Sequence, residues 1–166
     1  LENTSDQKQR QYLINHYLEQ FRGTLYRQTM FAEFEKIIHG KVWSGEPLTP
    51  EGLCQVYHEL NERYYGPDII VDPEIDMEWA RIPHFYTPFY VYKYATGFSA
   101  AVALATRILQ EGEPAVGLYI NFLKAGSSDY PLNILREAGV DMRVPAPIQS
   151  ALRVFDQLVD ELNALI

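Results

Sequence analysis

The segment IPHFYTPFYVYKYATG, residues 82–97, decides how the rest of the chain is read. It gathers His84, Tyr86, Tyr90, Tyr92 and Tyr94 around what reads as a helix start. Thr87 suits the N-cap, and Pro88 the first helical position, where a missing N–H costs nothing. Ala-rich sequence then predicts a helix to Gln110. Tyr90 and Tyr94 are four apart and so share a helical face, with His84 and Tyr86 on the loop that enters it. Imidazole and phenol groups at the positive end of a helix suit a developing oxyanion, which points to peptide-bond or ester chemistry. The residues alone leave a second reading open, in which the tyrosines are core edges with polar tips.

Outward from this segment, the chain is helix after helix, punctuated by Pro and Gly, with no repeat or low-complexity tract. Ser5 or Asp6 can start a first helix that runs to His39, with Leu13, Tyr17, Phe21, Leu25, Phe31, Phe34 and Ile38 at helical spacing. Gly23 interrupts it and Gly40 closes it. Thr49-Pro50-Glu51 opens a second helix that ends at Gly66-Pro67. Residues 68–83 hold two prolines and lack helical period, which predicts a loop or extended link. Beyond the tyrosine helix come helices over residues 114–124 and 131–138. A last helix covers residues 147–166, with Ile148, Leu152, Phe155, Val159 and Leu162 on one stripe. Prolines 50, 88, 114, 131 and 147 each stand where a helix should begin. The fold class is all-α, and a chain of 166 residues reads as a single helical domain.

IPHFYTPFYVYKYATGFSAA resembles a signature of the oligoendopeptidase F family, zinc metallopeptidases related to thimet oligopeptidase. FRGTLYRQTMFAEFE at residues 21–35 and YINFLKAGSSDYPLNILREAGVD at residues 119–141 resemble the same family, in the family's order. The resemblance implies a multi-helix, zincin-like fold around a deep channel. It also implies hydrolysis of short peptides by a zinc held on H-E-x-x-H and a downstream glutamate, with the zinc polarising the scissile carbonyl and activating a water. The histidines here are His16, His39, His58 and His84, no two of them four apart, so the motif is absent. The resemblance therefore implies the C-terminal part of a larger peptidase whose zinc ligands lie upstream. It implies no metal ligand in this chain, a missing N-terminal part of the same protein as partner, and no activity for the fragment alone. His84, Tyr90 and Tyr94 are the candidate catalytic residues, donating to the oxyanion or to substrate carbonyls. Tyr86, Ser127 and Ser128 are the candidate substrate-binding residues, and Tyr92 would point away. Where relatives carry glycines in this segment, Tyr86, Thr87 and Pro88 stand here.

Tyr57–Arg63, YHELNER, offers His58, Glu59 and Glu62 as H-E-x-x-E on a helix. A catalytic zinc takes three protein ligands, so the motif reads as a solvated face with Tyr57, Leu60 and Tyr64 packed behind it. The AGSSDY link at residues 125–130 reads as a tight turn with Asp129 capping the next helix, or as a loop that holds substrate backbone. Cys54 forbids an internal disulfide, fits a reducing cytoplasm and reads as a small core residue. A net charge of −8 without a basic cluster excludes nucleic acid as partner, and no apolar run is long enough for a membrane span. If the chain is part of a larger enzyme, the first helix around Phe21 to Phe34 and the tyrosine helix should expose apolar faces, or bury them in a homodimer. Two other functions fit the residues: a non-catalytic helical module binding peptides or partner helices, and an independent hydrolase using His58 and Glu62.

Overall fold

The computed structural model describes residues 4 and 6–166, so Ser5, offered above as a helix start, lies outside the described residues. Among them there are helices and no strands. The α-helices are α1 (Gln7–Gln20), α2 (Arg27–Trp43), α3 (Pro50–Tyr65), α4 (Tyr92–Glu111), α5 (Glu113–Ala125), α6 (Pro131–Glu137) and α7 (Ala146–Leu165). A π-helical turn, Phe21–Tyr26, joins α1 to α2, and two 3-10 helices, Pro73–Arg81 and Pro83–Tyr86, lie between α3 and α4. The chain divides into two compact units, Gly23–Ala95 and Leu1–Arg22 with Thr96–Ile166.

In the first of these units, α2 and α3 pack around Met30, Phe31, Phe34, Tyr57, Leu60, Ile82 and Val91. Helix α3 begins where its sequence says: the Thr49 side chain accepts from Gly52 N at 3.1 Å, Pro50 follows, and Gly66 closes the helix at φ 80°. Gly23 lies inside the π turn. That wider turn frees carbonyls, and side chains one turn on take them up. Thr29 Oγ1 donates to Leu25 O at 2.6 Å and Gln28 Nε2 to Gly23 O at 3.4 Å. Gly40 does not close α2, which continues to Trp43; Ser44 is the C-cap and Gly45, at φ 85°, turns the chain away.

Residues 68–83 are not an open link. A nine-residue 3-10 helix occupies Pro73–Arg81 and is fixed by tertiary contacts. Its buried Glu78 accepts from Tyr57 Oη at 2.7 Å, from Arg27 Nη2 at 2.6 Å and from Arg81. Burial pushes the Glu78 carboxyl up, and the Tyr57 and Arg27 bonds more than reverse this, leaving it below its ordinary value. Burial, then the bond to Glu78, drives the Tyr57 phenol far above its ordinary range.

The other unit contains α1, α5, α6, α7 and nearly all of α4. Asp6 caps α1, accepting from Gln9 N at 2.9 Å. Helix α1 packs against α7: Phe21 meets Phe98 edge-on at 4.9 Å and Phe155 at 5.6 Å, and Arg10 pairs with Glu161 at 2.5 Å. The apolar stripe of α7 is rotated from the one read in the sequence. Pro147, Ala151 and Leu158 are buried, while Ile148 is exposed and Leu152, Phe155, Val159 and Leu162 sit at the margins. Ala151 lies on the buried line because it allows close approach of helices, a signal that a search for large side chains passes over.

The expected apolar exposure around Phe21 to Phe34 is not found, since Phe21, Leu25, Met30, Phe31 and Phe34 are buried within the chain. On the tyrosine helix, where exposure was also expected, Tyr92, Tyr94 and Leu109 of α4 are exposed, and further exposed apolar side chains lie at Tyr12 and Leu13 of α1 and at Val42 and Trp43 of α2.

Candidate functional site

Thr87 and Pro88 do not start the tyrosine helix. Thr87 closes the 3-10 helix Pro83–Tyr86, and α4 begins only at Tyr92. Between them the chain turns through Phe89 at φ 58°, the left-handed region a bulky residue rarely visits and the only such non-glycine position among the described residues. Tyr90 therefore precedes the helix, yet it meets Tyr94 all the same.

The placement of His84 follows from its neighbour. Phe85 packs into the core against Phe31 at 5.5 Å and Phe34 at 5.3 Å, which turns the adjacent His84 outward. The His84 ring stacks on Tyr90 at 5.4 Å and 7°, and Tyr94 lies edge-on to both, at 5.5 Å from His84 and 5.7 Å from Tyr90. Tyr94 Oη is 3.3 Å from His84 Nε2 and 3.4 Å from Tyr90 Oη. One phenol proton cannot serve both contacts. When Tyr94 donates to Tyr90, His84 Nε2–H donates to Tyr94, and the Tyr90 proton remains available to an acceptor. Both contacts are at the long end of hydrogen-bond geometry. The bond to Tyr90, followed by partial desolvation, raises the Tyr94 phenol above its ordinary value and keeps it a donor in alkaline solution. The Lys93 ammonium lies 4.1 Å over the Tyr90 ring.

The other candidates lie elsewhere. Tyr86, exposed in the same 3-10 helix, donates its hydroxyl to Ala80 O at 3.1 Å. Ser127 and Ser128 belong to the other unit, on the exposed turn between α5 and α6. Asp129 there is not the N-cap of α6: Tyr130 holds that position, and Asp129 accepts from Tyr130 N at 2.6 Å and from Asn133 Nδ2 at 3.0 Å. Ser127 borders an apolar cavity of about 770 Å³ between α4, α5 and α6, lined by residues such as Leu104, Ile108, Phe122 and Ile134.

On α3, both nitrogens of His58 face carboxylates, Nδ1 at 2.7 Å from Asp76 and Nε2 at 3.5 Å from Glu62. The Asp76 bond, against a smaller desolvation effect, raises its pKa above the ordinary imidazole value. Glu59 accepts from Gln55. Among the described residues no group of three or more His, Cys, Asp or Glu side chains is arranged to hold a metal. Cys54 is half-buried rather than core.

Sequence reasoning missed Glu35, buried on α2, whose Oε1 accepts from Phe89 N at 2.6 Å. A signal was there to find. Phe31, Phe34, Glu35 and Ile38 fall on one helical stripe, so the acid stands on the core face.

Residues 1–154 match the model of Peptidase family M3. The whole chain is 58% identical to oligopeptidase PepF of Bacillus subtilis (strain 168) and 47% identical to the chromosomal oligoendopeptidase F of Lactococcus lactis subsp. cremoris. It covers 25% and 28% of their lengths, so it spans about a quarter of the curated relatives it matches. The crystal structure of oligoendopeptidase-F from Enterococcus faecium superposes with a TM-score of 0.96 at 50% identity, over 99% of this chain and 32% of that one.

Proposed function

Since the chain belongs to peptidase family M3, we propose that it forms the C-terminal part of the catalytic domain of a zinc-dependent oligoendopeptidase acting on short peptides in the cytoplasm. No helix among the described residues is long and apolar enough to cross a membrane. The chain's own residues do not fit a catalytic zinc site: there is no H-E-x-x-H, and no three-ligand group among the described residues. In this reading the metal belongs to the remainder of the longer protein, which is also this chain's partner.

His84, Tyr90 and Tyr94 carry this chain's share of the chemistry. The observation that supports the assignment is the relay itself, with Tyr94 Oη 3.3 Å from the imidazole and 3.4 Å from the second phenol. The relay leaves one free phenol proton, on Tyr90, for a tetrahedral oxyanion, which receives it better than a planar ground-state carbonyl does. Donation from His84 into Tyr94 and from Tyr94 into Tyr90 polarises the outgoing O–H, so the three act as one unit. Tyr86, an exposed side chain of a 3-10 helix, and Ser127 and Ser128, exposed on a turn, are assigned to contact with the peptide.

The test uses the full-length enzyme. His84→Ala and Tyr94→Phe should lower kcat while zinc content, read by atomic emission, stays that of the parent enzyme. Unchanged kcat in both variants would return the cluster to packing.

A further inference from the structure

We infer that Glu35 is a positioning residue for the candidate oxyanion site: its buried carboxylate holds the left-handed turn at Phe89 and thereby sets Tyr90 against His84. The inference rests on the functional reading of His84, Tyr90 and Tyr94 given above. Three observations converge on it. Phe89 adopts φ 58°, a conformation that costs a non-glycine residue about a factor of ten in population and persists only when its surroundings impose it. Oε1 of Glu35, whose side chain is buried at 3% exposure, accepts from Phe89 N at 2.6 Å, the short distance of a charge-assisted bond. The next residue after the strained one is Tyr90, which stacks on His84 within 7° of parallel and lies 3.4 Å from Tyr94 Oη.

The geometry leaves little slack between the acid and the phenol. Val91, on the far side of Tyr90, is fully buried in the same core cluster as Phe34, the residue before Glu35. Tyr90 is thus held between a buried valine and a turn pinned from α2. If the Phe89 amide lost its acceptor, the backbone would relax toward negative φ, and the Tyr90 ring would rotate off the imidazole. The Phe89 side chain contributes on its outer side, lying 4.7 Å from His39 and 6.3 Å from Trp43. Those rings cover the turn without supplying the hydrogen bond.

The experiment exploits the fact that glycine adopts positive φ without penalty. In the full-length enzyme, Glu35→Ala should lower kcat about tenfold with a smaller change in KM, because the affected group acts on the transition state. Glu35→Gln keeps an acceptor oxygen for Phe89 N and should lose several-fold less than Glu35→Ala. Adding Phe89→Gly to Glu35→Ala should recover most of the lost kcat, compared with Phe89→Gly alone, since the turn no longer needs to be held. Recovery of kcat is a readout that a general loss of stability would not give. No recovery in the double variant, or an unchanged kcat in Glu35→Ala with Tyr90 still stacked on His84, would overturn the inference. A crystal structure of Glu35→Ala, or of Glu35→Gln should the alanine variant not fold, separates the two layers. Tyr90 displaced from His84 with kcat unchanged would sink the functional reading and leave the positioning role standing. Tyr90 still stacked on His84 in Glu35→Ala would sink the positioning role and leave the functional reading standing.

Discussion

His58 and His84 belong to the same compact unit and face opposite company. His58 is gripped by two carboxylates, Asp76 at 2.7 Å and Glu62 at 3.5 Å, and is held toward its charged form. The partners of His84 are phenols, Tyr90 on its face and Tyr94 at its edge. A histidine saturated by anions has no N–H left to offer and repels a developing oxyanion through its neighbours. A histidine among phenols sits at the head of a chain of donors that can be redirected to a ligand. The H-E-x-x-E pattern around His58 reads as a solvated face in sequence, and its geometry is that of a surface ion pair.

The sharpest way to break this comparison is to remove each imidazole from the full-length enzyme. His84→Ala should lower kcat by about one to three orders of magnitude, the range for losing an oxyanion donor, and Tyr94→Phe should fall within it. His58→Ala should leave kcat within about twofold, as for a surface pair. Steady-state kinetics with a quenched fluorescent peptide reads both. An equal loss from the two histidines would put the chemistry on α3 instead.

A smaller effect sharpens the chain of donors itself. The Tyr94 phenol is raised first of all by its bond to Tyr90. A raised phenol stays protonated, so its donor survives to higher pH than an ordinary tyrosine's. In Tyr90→Phe that support is gone, and the alkaline limb of the kcat/KM profile should move to lower pH. A limb that does not move would remove Tyr94 from the protonation-dependent step.

How far the sequence carried differs between these two regions for physical reasons. Tyr57, Leu60 and the caps of α3 were legible because Thr49, Pro50 and Gly66 act locally. Pro114 and Pro131 behaved the same way at α5 and α6. Pro88 failed because a tertiary bond from Glu35, 54 residues away, holds Phe89 in a turn that no local propensity favours. Tyr90 and Tyr94 come together, but not on the shared helical face their spacing suggests, since Tyr90 lies outside the helix and reaches its neighbour by way of that turn. The 3-10 helix Pro73–Arg81 was illegible for a related reason. Its organiser is Glu78, whose partners Arg27 and Tyr57 come from two other helices. In both cases a buried acid overrides the local pattern, and acids are the residues a search for hydrophobic period discards.

The His58 grip should also appear as pH-dependent stability. Its pKa in the folded protein is raised above the ordinary 6.5, chiefly by Asp76. The stabilisation is then complete below the unfolded value and is lost as pH rises through the folded one. Comparing His58→Asn with the parent by thermal melts, the Tm difference should be widest near pH 6 and narrow by pH 9. A difference that widens with pH would mean that the imidazole is held neutral, against the sign of the Asp76 and Glu62 contacts.

The smallest expected effect is the internal control on helix facing. Tyr92 lies two residues before Tyr94 on α4, which places it about 200° around the helix axis from it. It is half exposed. Tyr92→Phe should therefore keep kcat within about twofold of the parent, the size of an ordinary surface substitution. Its hydroxyl would have to cross the helix to reach the point where His84 and Tyr94 meet. If Tyr92→Phe cost as much as Tyr94→Phe, the difference between the two phenols would not be one of facing. The oxyanion site would then have to be sought on the opposite side of α4, away from the imidazole.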